Sequence, residues 1–94
     1  MNKDNMEVKF SKLFAKQYNK AGKKIQTTFE LCLADFIQNP HKLTLRNHSL
    51  KGKYIGLRSI NINGDWRALY SERNEKNKTI VIFELLGTHS QLYK

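Results

Sequence analysis

The run T-I-V-I-F-E-L-L, Thr79 to Leu86, decides the fold. Only Glu84 interrupts its apolar interior, and the run is too continuous for a half-exposed strand. It reads as a central strand covered by helices on at least one side. Before it, S-E-R-N-E-K-N-K (71–78) reads as a polar loop, and W-R-A-L-Y (66–70) as the preceding strand. Asn63-Gly64 is a strong hairpin signal, because both residues tolerate the positive φ of a type I′ turn. It would join W-R-A-L-Y to Y-I-G-L-R-S-I-N-I (54–62), setting Ile62 opposite Asp65 and Asn61 opposite Trp66. Neither sheet face is cleanly apolar in that register. Further upstream, Ser11 is an N-cap for a helix carrying Leu13, Phe14, Gln17, Tyr18 and Ala21. After Gly22, a second helix presents Ile25, Phe29, Cys32, Leu33 and Phe36 on one face. Asn39-Pro40 ends it. Met6 to Phe10 makes a short first strand. The order β-α-α-β-β-β predicts an α+β fold, with two antiparallel helices packed on one face of an antiparallel sheet. Residues 1–94 form a single domain in this reading.

With 94 residues, the chain can build one modest core. Its 39% apolar and 11% aromatic content suits a folded protein. Seventeen Lys and Arg against eight Asp and Glu give a net charge of +9, which favours a polyanionic partner. No acidic residue falls between Phe36 and Gly64, where Lys42, Arg46, Lys51, Lys53 and Arg58 lie; this window is expected to meet phosphate. Cys32 is the only cysteine, in an apolar setting that suits a buried, inert thiol. The first residues lack the apolar core of a signal peptide and no stretch approaches membrane-spanning length, so a cytoplasmic protein without membrane contact is expected. One cysteine and three dispersed histidines make no metal-ligand spacing, and no cofactor is expected.

The residues able to do chemistry are His48 in the basic segment, Asp65 at the hairpin tip, and His89 and Tyr93 beyond the last strand. Imidazoles, with unperturbed pKa of about 6.5, exchange protons near neutral pH, and nearby arginines and lysines stabilise charge on a phosphate. On RNA, that combination serves attack by a ribose 2′-hydroxyl on its own phosphate, without a metal. Each residue also has a plainer reading: a loop histidine, a turn aspartate, a packing tryptophan at Trp66, a docked terminal aromatic.

Together, N-H-S-L-K-G-K-Y-I-G-L-R (47–58), G-D-W-R-A-L-Y (64–70) and F-E-L-L-G-T-H-S-Q-L-Y (83–93) resemble the toxins of the RelE/ParE superfamily, and most the YafQ-like branch. The resemblance implies the toxin of a toxin–antitoxin module, an endoribonuclease that cuts mRNA in the ribosomal A site. A co-expressed antitoxin would silence it, and the complex would bind its own promoter DNA. It implies His89 as general acid, His48 and Asp65 in proton transfer and its orientation, and Trp66 and Tyr93 shaping the pocket. Arg58 and Arg67 would hold the RNA backbone. Two positions depart from the branch: Asn61 stands where members carry a second sheet histidine, and Leu85 where they carry an arginine. Losing one electrostatic donor costs roughly 10²–10³ in rate. The expectation is a slower nuclease, or one in which Arg58, Lys51 or Lys53 supplies the charge. Two other readings share the scaffold: a ParE-like poison of DNA gyrase, and a nucleic-acid-binding module without chemistry.

Overall fold

The computed structural model describes residues 5–93. Strand β1 (Met6–Phe10) leads into helices α1 (Lys12–Ala21) and α2 (Lys23–Gln38). A segment with two short 3-10 turns, Leu43–Leu45 and Gly52–Tyr54, carries the two-residue strand β2 (His48–Ser49). Strands β3 (Arg58–Asn61), β4 (Trp66–Glu75) and β5 (Lys78–Thr88) follow, and helix α3 (His89–Tyr93) closes the order. The sheet runs β1-β5-β4-β3-β2, which makes the expected central strand central.

Ser11 caps α1 as its sequence predicts, its Oγ accepting from Phe14 N at 2.9 Å. Gly22, at φ 93, separates the helices by one residue, a conformation that costs glycine little. The two helices fold back on each other, with Gln26 Nε2 donating to Tyr18 O at 2.9 Å. Their buried face packs on the sheet through an aromatic cluster. Phe83 lies 5.5 to 5.8 Å, ring centre to ring centre, from Phe14, Phe29, Phe36 and Tyr70. Leu13, assigned to the same stripe in sequence, is 49% exposed.

The sheet departs from the expected one in three ways. It is mixed, because β1 joins β5 in parallel, a connection the α1–α2 crossover permits. The first hairpin has three loop residues, with Asn61 opposite Arg67 rather than Trp66, and Ile62 N donating to Trp66 O. The Asn63 side chain makes this turn by accepting from the amides of Asp65 and Trp66, both at 2.9 Å. The shift gathers Ile60, Ile62, Trp66, Ala68 and Tyr70 toward the helices, so the face that looked mixed is apolar. Finally, the polar stretch after Tyr70 is not a loop: β4 continues to Glu75, and only Lys76 and Asn77 separate Glu75 from its partner Lys78.

Strand β5 carries a bulge at Glu84. Tyr70 pairs with Phe83 and Leu69 with Leu85, leaving Glu84 without a partner across the ladder. Because side chains alternate, one extra residue reverses every later position. Val81 and Phe83 face the helices before the bulge, and Leu86 does so after it. Leu85 and Gly87 are thereby turned to the opposite face, and His89 follows them.

Candidate active site

The sheet face without helices holds an open cleft of about 920 Å³, and its floor can be read from the strand pairing. His48, Ser59, Leu69 and Leu85 form one row across β2, β3, β4 and β5, and Asn61, Arg67 and Gly87 form the next. Directly opposed residues share a face. Of these rows His48, Ser59, Asn61 and Arg67 line the cleft, together with Arg46, Asn47, Leu50, Gly64, His89 and Tyr93, and no Asp or Glu is among the lining residues.

His48 is held through its ring. Nδ1 lies 2.8 Å from the Arg46 carbonyl oxygen, which can only accept, so Nδ1 carries the proton. Nε2 of the neutral ring is then a free lone pair. The segment beneath is pinned by Asn47, whose Nδ2 donates to Pro40 O at 2.9 Å and Tyr70 Oη at 2.7 Å, while its Oδ1 accepts from Arg58 Nε at 2.9 Å.

His89 and Tyr93 are presented by α3. Thr88 Oγ1 accepts from Gln91 N at 3.1 Å and Gln91 Oε1 accepts from Thr88 N at 2.8 Å, a reciprocal capping box spelled T-H-S-Q. Gly87 allows a close approach here: a Cβ would come within 3.1 Å of Gln91 Oε1 and 3.4 Å of the Leu92 side chain, so that Gln91 would have to give way. The His89 amide donates to Asp65 O at 2.9 Å, tying α3 to the hairpin. The His89 ring lies 4.7 Å from that of Tyr93. Tyr54 braces Tyr93 edge-on at 5.6 Å and donates to Leu92 O at 2.6 Å. Burial pushes the Tyr93 phenol up, while the Ser59 hydroxyl and Arg67 pull it down. Ser59, 1% exposed, has no hydrogen-bond partner among the described residues; the Tyr93 hydroxyl lies near it, outside bonding geometry.

Of the residues singled out in sequence, His48, Asn61, Arg67, His89 and Tyr93 meet in this cleft. The others do not. The Asp65 side chain is exposed at the hairpin tip outside the lining, and its backbone carbonyl accepts from the His89 amide. Trp66 points the other way, against the helix-side core, beside Gln17 and Leu92. Arg58 is engaged by Asn47 and braces the His48 segment instead of lining the cleft. Lys51 and Lys53 are exposed outside it, with Lys53 Nζ 5.2 Å above the Tyr54 ring. Arg46, named in sequence only within the acid-free window, lines the cleft, and so does Ser59, which was not singled out because the strand register that turns it to this face is not visible in the sequence. Arg67 Nη1 contacts the carbonyls of Asn63, Gly64 and Trp66 at 3.1 to 3.3 Å. Among the described residues no three His, Cys, Asp or Glu gather to hold a metal ion, and no helix is long and apolar enough to cross a membrane.

The fold recurs in solved structures. YafQ from E. coli strain BL21(DE3) matches with a TM-score of 0.76 and 22% identity, over 95% of this chain and 99% of that one. The E. coli DinJ–YafQ toxin–antitoxin complex gives 0.74 and 23%, over 96% and 99%. The YoeB/ParE toxin from Agrobacterium tumefaciens gives 0.72 at 14% identity, over 89% and 99%. No curated protein matches the sequence. The family model described as a bacterial toxin of type II toxin–antitoxin system, YafQ, matches residues 6–94. The chain therefore belongs to the YafQ family of type II toxin–antitoxin toxins.

Proposed function

We propose that this toxin is a ribosome-dependent endoribonuclease that cleaves mRNA by metal-free acid–base chemistry and so stops translation. The observation that carries the reading is the pairing of two histidines on one cleft without acidic lining, one of them with a free Nε2. His48 Nε2 takes the proton from a ribose 2′-hydroxyl, and the oxygen attacks the adjacent phosphorus. The bond to the 5′-oxygen of the next nucleotide breaks, and His89 protonates that oxygen. A 2′,3′-cyclic phosphate and a free 5′-hydroxyl result. Arg67 stabilises charge on the phosphate, and the exposed ring of Tyr93 offers a base a stacking surface. Asn61 supplies a hydrogen bond without a proton relay. A cytoplasmic setting follows from a ribosomal substrate.

The cognate antitoxin would neutralise the protein by laying an acidic, partly apolar segment across the basic open face, and the pair would bind its own promoter DNA. The test of function is primer extension on mRNA translated in a cell-free system with purified protein. Discrete cuts within codons, dependent on translation, are expected. Intact mRNA, with loss of thymidine rather than amino-acid incorporation in cells, would replace this reading with gyrase poisoning.

A further inference from the structure

Arg46 is the one arginine of the cleft whose guanidinium has no partner among the described residues. Arg67 is engaged by three loop carbonyls and Arg58 by Asn47. Arg46 is also in the left-handed conformation, φ 48 and ψ 46, unusual for a residue with a Cβ. Its backbone is fixed on both sides. Its amide donates to Leu43 O at 3.1 Å, and its carbonyl accepts from His48 Nδ1 at 2.8 Å. The preceding Leu45 is 1% exposed and the following Asn47 is anchored to Pro40 and Tyr70. Glycine would meet this backbone with less strain. An arginine held there, beside a histidine and facing a cleft lined by no acid, points to a role for its side chain.

We propose that Arg46 is a second phosphate-binding residue of the cleft, beside Arg67: its guanidinium takes a non-bridging oxygen of the RNA phosphate that His48 and His89 serve. One residue then does two things. Its carbonyl sets the tautomer of His48, and its side chain holds the anion on which His48 acts. A planar guanidinium offers two parallel donors to a phosphate and keeps its charge throughout the reaction.

The inference rests on the ribonuclease reading, and the experiment separates the two. Single-turnover cleavage of mRNA on programmed ribosomes is measured for wild type, Arg46→Gln, Arg46→Lys, Arg46→Gly and, as a remote control, Arg73→Gln, alongside thermal unfolding. Wild type and Arg73→Gln should cleave alike. Arg46→Gln and Arg46→Gly should each lose roughly 10²–10³-fold in rate, and Arg46→Lys should recover part of it. Arg46→Gly should unfold at the wild-type temperature or above, because the carbonyl that anchors His48 is kept and the strain relieved. Its binding to single-stranded RNA with 2′-O-methyl riboses should also show a log–log salt slope shallower by about 0.7, one phosphate contact. Wild-type cleavage by Arg46→Gly would overturn the proposal, leaving Arg46 a backbone role alone. Loss of rate in step with loss of folding in both the Gln and Gly variants would do the same. A wild-type protein that does not cleave overturns the nuclease reading, and this inference with it.

Discussion

The two faces of the sheet solve opposite problems with residues that alternate along the same strands. The helix side is closed by Phe14, Phe29, Phe36, Tyr70 and Phe83, all nearly inaccessible to solvent. The open side carries His48, Asn61, Arg67 and the buried hydroxyl of Ser59 among a few aliphatic side chains. One face maximises burial; the other leaves donors and lone pairs unsatisfied, an arrangement typical of sites that await a ligand. What separates them on β5 is a single unpaired residue, Glu84. Substitutions on the closed face should therefore change stability, and those on the open face activity.

The largest effect on stability is expected at the centre of the closed face. Phe83→Ala should destabilise the fold by about 3–5 kcal/mol, read from denaturant unfolding. A loss below 1 kcal/mol would mean that the aromatic cluster does not hold the faces apart. The next prediction joins stability to activity. Thr88→Ala removes half of the capping box of α3 and should cost about 1 kcal/mol. Cleavage should fall by more than that loss explains, since α3 aims His89 and Tyr93. Equal effects on both would show that α3 is only a cap on the strand.

Much of the closed face was legible in the sequence, and less of the open one. The central strand, both helices and β1 follow from apolar periodicity and caps, signals that repeat over many residues. The open face depends on single-residue events. Asn-Gly suggested a two-residue turn, yet the Asn63 side chain captures two amides and adds Asp65 to the loop, moving Asn61 opposite Arg67. The bulge has a faint signal, the lone charged residue of T-I-V-I-F-E-L-L. The T-H-S-Q capping box is a readable sign of α3. Trp66 and Arg58 resembled site residues by motif, but one packs against the helix side and the other braces Asn47.

Smaller effects sharpen the same contrast. Ser59→Ala removes a buried hydroxyl with no partner among the described residues, and should leave stability unchanged or raise it by up to about 1 kcal/mol. A clear loss of stability would show that the hydroxyl is satisfied in solution. The smallest effect lies at the sheet edge far from the cleft. The bond to Lys78 holds the Glu7 carboxyl below its ordinary value of 4.5. Its folded pKa is depressed, so its contribution to stability is present above 4.5 and lost as pH falls through the folded value. Glu7→Gln should slightly reduce the drop in unfolding temperature between neutral and acid pH, and leave cleavage untouched. An unchanged drop would make the pair inert.

In the proposed ribonuclease site, His89, placed by the Glu84 bulge and the T-H-S-Q box, acts as the acid. Single-turnover cleavage of ribosome-bound mRNA by His89→Gln, with thermal unfolding as the folding control, tests it most directly. An unchanged unfolding temperature and a rate lower by roughly 10²–10⁴ are expected. A His89→Gln protein that cleaves at the wild-type rate would contradict it.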